Sequence, residues 1–551
     1  MKHLLLKNFA VALVLLLAGN LYSATESEPN DTYETSNVAN LGSANTGSAG
    51  YSYDLDWWEI TIPENGNLTI TSAPSSATSL WCYLYDNNGT TLLASSYSSA
   101  SFNVSRNDLQ AGTYYIRINC YYSGDSTDYT FTPTFTAPSV EPDLEPNDYF
   151  PIANTLGLND STTGNVGYYI NLDRDSTDWY EVTTVEDGPL YIYLNPLNGS
   201  QTWIYLYDTD GTTLLASGYG DSAFSIDRQD LAAGTYHILV KMYYTNGYTP
   251  YTLKNTSFPV TYENDEESND IAANAVSISE NSTIEGHIGY YTNGARDLDD
   301  WYEITTTEDG ILNFSLTGEL SQLTYMYIYD TDGTTSLVSN YSAEPFSISR
   351  NDLAVGTYYL RVRMYYGNGY NNYSITNTLT PPAEANDSEP NNAAGSAITI
   401  AANSTIEGHI GYYTDGARDL DDWYEITTTE DGNLTFSLTG SLAQLTYMYI
   451  YDTDGTTSLV SNYNAGPFSI SRNDLAAGTY YLRVRMYYGD GYNSYSITNT
   501  LTPPEQENDP EPNNSVATAS PIETNVTVDG HIGYYNSGVR DQYDYYAITL
   551  S

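Results

Sequence analysis

The chain has 551 residues, of which 69 are acidic and 17 basic, giving a formal charge of −52. Such an excess argues against nucleic acid or an anionic membrane surface as a partner and makes divalent cations the natural counter-charge; an acidic surface kept for solubility in salty surroundings fits the same numbers. Two cysteines exclude a disulfide-rich scaffold, while 58 tyrosines and a 40% hydrophobic content supply several cores.

The first element in chain order is a leader. The opening "MKHLLLKNFAVALVLLLAGNLYSATES" has a basic start, an apolar stretch from Phe9 to Ala18 and small residues at Ser23 and Ala24. This is the pattern of a secretory signal peptide, assigned to residues 1–24. The apolar run is short for a retained membrane anchor, and no later stretch is long and apolar enough to span a bilayer. No cysteine stands near the cleavage point, which argues against a lipoprotein. The mature chain is therefore expected to be secreted or at the cell surface.

Beyond the leader the sequence repeats. Asp56, Asp178, Asp300, Asp422 and Asp544 are separated by 122 residues each time, and Gly112, Gly234, Gly356 and Gly478 keep the same step, as do Asp86, Asp208, Asp330 and Asp452. Repeats are assigned to residues 25–138, 139–260, 261–382 and 383–504, with the start of a fifth at 505–551. Because a complete repeat runs well past the position of Asp544, the sequence is expected to be part of a longer one. Linkers such as "LTPPAEANDSEPNN" are short, acidic and proline-marked.

Within a repeat the pattern is β. "YMYIYDTDGTTSLVS" alternates and then turns at Asp332-Gly333, a hairpin signal. "GTYYLRVRMYYGNGYNNYSIT" gives two more strands around a Gly-rich turn, and "RNDLA" allows a single helical turn. The expected architecture is an all-β tandem array of antiparallel β-sandwich, jelly-roll-like domains with one core per repeat.

"EPND" at 28–31 and 145–148, the Asp-Trp-Tyr strand start, "YDTDGT" and "DLAAGTYYLRV" together resemble the bacterial pre-peptidase C-terminal domain, which is related to the collagen-binding domains of clostridial collagenases. The resemblance covers essentially all of the chain after the leader. It implies a calcium-binding β-sandwich jelly roll used as an accessory domain of secreted peptidases and other extracellular proteins. Two departures stand out: the domains follow the leader directly instead of a catalytic domain, and they form a long array.

Each repeat carries two acidic segments that suit calcium, which takes hard oxygen ligands from carboxylates and amide carbonyls. The first is Glu26, Glu28, Asn30 and Asp31; then Asp143, Glu145, Asn147 and Asp148; then Asp265, Glu267, Asn269 and Asp270; then Asp387, Glu389, Asn391 and Asn392; then Asp509, Glu511, Asn513 and Asn514. It matches the calcium-binding segment that the collagen-binding relatives carry at the N-terminal edge of the domain. The second segment is Asp54 and Asp56, Asp175 and Asp178, Asp297 and Asp300, Asp419 and Asp422, Asp541 and Asp544. Glutamate and later aspartate are 33 positions apart in repeats two to five and 28 apart in repeat one. A turn opener beside a solvated strand end would give the same letters, but like charges drawn together without a cation are destabilising. Repeats four and five, with Asn392 and Asn514 in place of an acid, are expected to bind more weakly than repeat two. "DTDGT" also looks like a piece of an EF-hand loop, yet it lacks the distant glutamate and flanking helices and reads better as a hairpin turn.

Cys82 and Cys120 occupy positions that other repeats fill with Ile204, Met326 and Met448 or with Met242, Met364 and Met486, so both point inward. In an oxidising compartment they are expected to form one disulfide, the other reading being two buried free thiols. The opposite faces of the same strands carry Tyr325, Tyr327, Tyr329, Tyr359, Arg361, Arg363 and Tyr365 in repeat three and Tyr447, Tyr449, Tyr451, Tyr481, Arg483, Arg485 and Tyr487 in repeat four. If the strands are neighbours, these residues form an outward face able to stack on sugar rings or grip an extended protein, though such tyrosines also stabilise sheets or pack on the next repeat.

No catalytic constellation stands out. The recurrent His287, His409 and His531 of "GHIGYY" read as strand residues, and there is no H-E-x-x-H, G-x-S-x-G or P-loop. The expected function is a non-catalytic, secreted, calcium-binding array for extracellular binding or adhesion, with a protein or polysaccharide ligand. Its alternatives are the accessory region of a secreted hydrolase, most naturally a peptidase, and a passive stalk that calcium stiffens.

Overall fold

The computed structural model describes residues 23–550 apart from 52, 245–246, 259 and 489–490. Residues 1–22 of the leader lie outside the described residues, while Ala24 opens a two-residue strand, Ala24–Thr25, beside Asn45–Ala49. Among the described residues the helical elements are five single 3-10 turns, one per repeat; the rest of the regular structure is strand.

Repeat four shows the plan. One sheet has five strands in the order Ile398–Ile400, Asp421–Thr428, Gly478–Met486, Thr446–Tyr451, Ser458–Asn464. The facing sheet has Thr405–Ile410, Asn493–Thr502, Gly432–Ser441 and Phe468–Leu475. Strand alternation sends Met448 and Ile450 inward, where they meet Phe436, Leu482, Val484 and Ile497 in a core that is fully buried. Each such side chain contributes about 1.5–3 kcal/mol by leaving water. The same sandwich recurs in repeats one to three, each with its own core. The Asp332-Gly333 turn forms as expected, with Gly333 at φ +63° and the Asp332 carboxylate accepting the amides of Thr334 and Thr335 at 2.8 and 2.7 Å.

The helical turn expected at "RNDLA" is a strand instead. Arg350 and Asp352 lie in Phe346–Leu353, and their side chains, two residues apart and therefore on one side of a strand, form an ion pair. The expected disulfide is also absent, and both thiols are free and buried. Register explains it: Cys82 pairs with Ile118 and Cys120 with Leu80, so the cysteines are diagonal neighbours on adjacent strands, roughly 7–8 Å apart at such positions and too far for the bond. Cys120 Sγ donates to the Ala49 carbonyl at 3.4 Å, and burial pushes the Cys82 thiol up to about 12.

The chain divides into two compact units, one holding repeats one and two with residues 291–295, the other the remainder of repeats three, four and five. Within each unit, consecutive repeats are joined by a short hairpin that extends the sheet of the repeat before it. In the first unit, Tyr169–Ile170 and Asp173–Arg174 of repeat two add to repeat one, Tyr169 pairing with Leu109. In the second, Tyr413–Thr414 and Ala417–Arg418 add to repeat three through Leu353, and Tyr535–Asn536 and Val539–Arg540 add to repeat four through Leu475.

Candidate functional site

The two acidic segments meet at one end of each sandwich. In repeat three the Trp301 amide donates to the Asn269 carbonyl at 3.0 Å, tying the loop of the first segment to the strand Asp299–Thr305 that carries the second. The peptide bond after the segment's glutamate is cis in all five copies. Carboxylate oxygens of Asp265, Glu267 and Asp300 then lie within 4.8 Å of one another, as do those of Asp143, Glu145 and Asp178 and of Asp387, Glu389 and Asp422. Repeat one gives two such groups, Glu26 with Glu28 and Asp56, and Glu28 with Asp31 and Asp54.

Not every acid is equally deep. Asp56, Asp178, Asp300 and Asp422 are fully buried, as are Asn30, Asn147, Asn269, Asn391 and Asn513. Asp31, Asp270, Asn392 and Asn514 lie exposed at the rim, and Asp148 is half-buried. Asp54, Asp297, Asp419, Asp541 and Asp544 are half-buried, and Asp175 and Asp509 are buried.

Beneath the acids runs a pair of tyrosines. Tyr302 donates to Asp265 Oδ2 at 2.6 Å and lies 2.6 Å from the Tyr373 hydroxyl, which in turn bonds Asp300 Oδ2. Asn269 Nδ2 donates to the same Asp265 oxygen at 2.6 Å. Repeat two uses Tyr180 and Tyr251, repeat four Tyr424 and Tyr495, and repeat one Trp58 and Tyr129. In repeats two to four these donors occupy one oxygen of each deep acid. The other oxygens have none: Oδ1 of Asp178, Asp300 and Asp422, Oδ1 of Asp265 and Asp387, both oxygens of Asp56, and Oδ1 of Asn147, Asn269, Asn391 and Asn513 are buried without a hydrogen-bond donor. The tyrosines were legible as one more recurrence at the 122 step, Tyr129, Tyr251, Tyr373 and Tyr495, but nothing in the letters links them to the acids.

Close approach at this place requires glycine. A Cβ at Gly408 would stand 2.7 Å from both the Tyr424 and Tyr495 hydroxyls, which explains the glycine of "GHIGYY". The histidine beside it is structural: His409 Nδ1 bonds Asp309 of the preceding repeat at 2.9 Å and Nε2 bonds the Glu384 carbonyl at 2.7 Å, and His531 repeats the arrangement with Asp431 and Gln506.

Electrostatics follow from burial. Desolvation, then the neighbouring Glu267, pushes Asp297 up to about 8, and desolvation with Glu145 does the same to Asp175. Asp56 is pushed up to about 9, chiefly by burial and then by Glu26. Asp300 and Asp422 are held well above the usual carboxylate range by burial and their aspartate neighbours. Inward-facing, donorless oxygens from carboxylates and an amide are the donor set of a hard divalent cation, calcium taking six to eight such oxygens at about 2.3–2.6 Å.

On the outer face of the five-stranded sheet the expected neighbours pair in register: Tyr325 with Arg363, Tyr327 with Arg361 and Tyr329 with Tyr359. Much of that face is occupied by its own contacts. Tyr329 and Tyr451 are buried against Trp301 and Trp423, contrary to their expected exposure, because the tryptophan rings pack against them in a tilted arrangement with centroids 4.8 Å apart. Arg361 lies over Trp301 and Tyr327 and donates to Asp299 at 2.7 Å, as Arg483 does to Asp421 at 2.6 Å. What stays open is one end of the sheet, where Tyr325, Tyr341, Tyr365 and Tyr366 cluster with ring centroids 4.5–5.4 Å apart. Tyr341, Tyr365 and Tyr366 are about half exposed. The cluster recurs as Tyr447, Tyr463, Tyr487 and Tyr488, and with a tryptophan as Trp81 and Trp203 in repeats one and two.

Residues 54–119 match the family described as the bacterial pre-peptidase C-terminal domain. Repeat one carries this domain. A second family, described as galactose binding domain-like, matches residues 391–497 in repeat four. Both are non-catalytic, accessory types of domain. No curated protein matches the chain. Among solved structures, the pre-peptidase C-terminal domain of collagenase from Bacillus anthracis is 19% identical over 21% of this chain and 100% of its own, with a TM-score of 0.17. The PBSX exported protein XepA is 10% identical over 44% of this chain and 95% of its own, at 0.13, and tripeptidyl peptidase 2 is 6% identical over 84% and 34%, at 0.15. Scores this low carry no argument about function. Within the matched segment, Asp56, Asp86 and Gly112 recur in repeats two to four at the 122-residue step. Among the described residues no helix is long and apolar enough to cross a membrane.

Proposed function

We propose that the chain is an extracellular array of calcium-stabilised binding modules. The observation that carries the reading is the recurrence, in repeats two to five, of buried aspartate and asparagine oxygens without a donor at the cluster, with both carboxylate oxygens of Asp56 in the same state in repeat one. A group so buried costs free energy unless something pairs with it, and a cation does so for all of them at once. Asp265, Asn269, Asp297 and Asp300 would hold the ion in repeat three, with Glu267 at the rim, and their counterparts in the other repeats. Calcium would supply positive charge that lets the two segments close on one another.

The ligand surface is the open aromatic cluster, whose rings suit a sugar or an extended protein segment. The galactose binding domain-like match in repeat four supports a carbohydrate. Several weak modules on one chain gain by avidity. The family name favours a second reading, an accessory region serving a secreted peptidase. Equilibrium dialysis of the full chain with calcium tests the first. Bound calcium is expected to fall by one equivalent in Asp422→Asn, and unchanged stoichiometry would defeat the assignment.

A further inference from the structure

The hairpins that join the repeats begin where the acidic clusters end. In repeat four the hairpin is closed at its base by Asp419, whose carbonyl accepts the Gly411 amide at 2.6 Å and whose amide donates to the Tyr412 carbonyl at 3.2 Å. The carboxylate of the same residue stands against Glu389 and Asp422 in the cluster. Its neighbour Arg418 bonds the Gly411 carbonyl and, at 3.0 Å, that of Gly491.

The far end of the hairpin is held by repeat three. Ala354 donates its amide to the Tyr413 carbonyl at 3.0 Å, and the Tyr358 hydroxyl donates to the same carbonyl at 3.0 Å. Asp330, buried at the end of a tyrosine-rich strand, accepts the Gly416 amide at 2.8 Å. Asp352 binds Arg418, and the guanidinium groups of Arg350 and Arg418 both lie over the Tyr413 ring, 5.4 and 5.6 Å from its centroid. The same contacts recur where repeat two meets repeat one: Asp86 accepts the Asn171 and Leu172 amides at 3.0 Å and Asp108 binds Arg174 at 2.8 Å. They recur again where repeat five meets repeat four, through Asp452, Gly538, Asp474 and Arg540.

We propose that cation occupancy in one repeat sets how firmly its hairpin grips the repeat before it. The inference rests on the cation reading and adds a direction to it. Without the ion, Asp387, Glu389, Asp419 and Asp422 repel one another, and Asp419 is the member whose backbone belongs to a short, separately docked hairpin, so the hairpin base is where the repulsion is relieved. With the ion bound, Asp419 is pinned, the base of the hairpin is fixed, and the strand addition, the Asp330 turn contact and the Asp352–Arg418 pair are made together. The leading aspartate of "YDTDGT" is, on this account, the receptor for the next repeat's hairpin.

Hydrogen exchange on the full chain, in calcium and in chelator, tests the coupling. The Trp423 amide, bonded to the Asn391 carbonyl at 3.0 Å, reports on the cation cluster of repeat four, and the Ala354 amide reports on the grip. Calcium is expected to slow both by about tenfold or more. Asp422→Asn should remove the response at Ala354, and Asp330→Asn with Asp352→Asn should remove it at Ala354 while leaving it at Trp423. An Ala354 response that survives either variant would overturn the coupling alone. No calcium response at Trp423 in the unaltered chain would overturn the cation reading and the coupling with it.

Discussion

Repeat one and repeat four share a sandwich and an acid cluster but differ in what lies between. The glutamate-to-aspartate offset is 28 residues in repeat one, from Glu28 to Asp56, and 33 in repeat four, from Glu389 to Asp422, a difference of five. The missing residues are those of the hairpin: among the described residues of repeat one, Asn45–Ala49 leads to Asp56–Ile62 with no strand between. Repeat one receives a hairpin and offers none. A second difference lies at the receiving side. Asp309 and His409 bond across the junction of repeats three and four, whereas the corresponding positions for repeats one and two are Asn65 and Asn165, and both amide atoms of Asn165 are buried without a partner. The same fold thus tolerates loss of the hairpin and exchange of the junction pair while the acid cluster stays. The cluster belongs to the domain, and the hairpin belongs to the array.

The largest effect expected from breaking that shared cluster is on the calcium-free chain. Asp297, at 3.8 when unperturbed, is raised to about 8, so between those values the folded state holds a proton that the unfolded state has lost. The contribution of the cluster to stability without calcium is therefore greatest below about pH 4 and falls as pH rises to about 8, by roughly 1.4 kcal/mol per pKa unit at each such group. Melting points in chelator should drop across that range in all repeats, and calcium should restore them most at the alkaline end. A smaller effect is expected from Gly408→Ala, whose Cβ meets two tyrosine hydroxyls in contact with the cluster; about 1–3 kcal/mol should be lost in denaturant unfolding of repeat four.

The smallest effect sharpens the junction comparison. Burial opposes charge on His409, but its bonds to Asp309 and the Glu384 carbonyl outweigh this and raise its pKa above 6.5. The grip between repeats three and four should be strongest below pH 6.5 and loosen as pH climbs through the raised value. Exchange at Ala354 should show this step; His409→Asn should flatten it, and the Gln110 amide, its counterpart between repeats one and two, should show none.

Period, strand alternation and the two halves of the acid cluster were legible in the letters because each depends on local order and on repetition at a fixed step. Glu267 and Asp300 could be matched, without knowing the fold, by the offset of 33 that repeats two to five share. The disulfide was misread because alternation gives the face of a residue and not its register, and it is register that sets Cys82 opposite Ile118. Tyr329 looked open because alternation alone cannot show Trp301 lying over it. "RNDLA" misled through composition, its Arg350–Asp352 pair being a strand feature once the partner strand is known. The role of Asp86 and Asp330 was out of reach, since their partners lie 85 and 86 residues away in another repeat.

Repeats three and four are nearly identical, and neighbours so alike are prone to pair wrongly while they fold. An uncovered sheet margin is the usual route to such mispairing and to aggregation. Leu109, Leu353 and Leu475 each end a strand at such a margin, and each is met by a tyrosine from the following hairpin. The hairpin is thus also a guard at that corner: it pairs with the last residue of the margin and blocks a strand from the wrong repeat or from another molecule from pairing there.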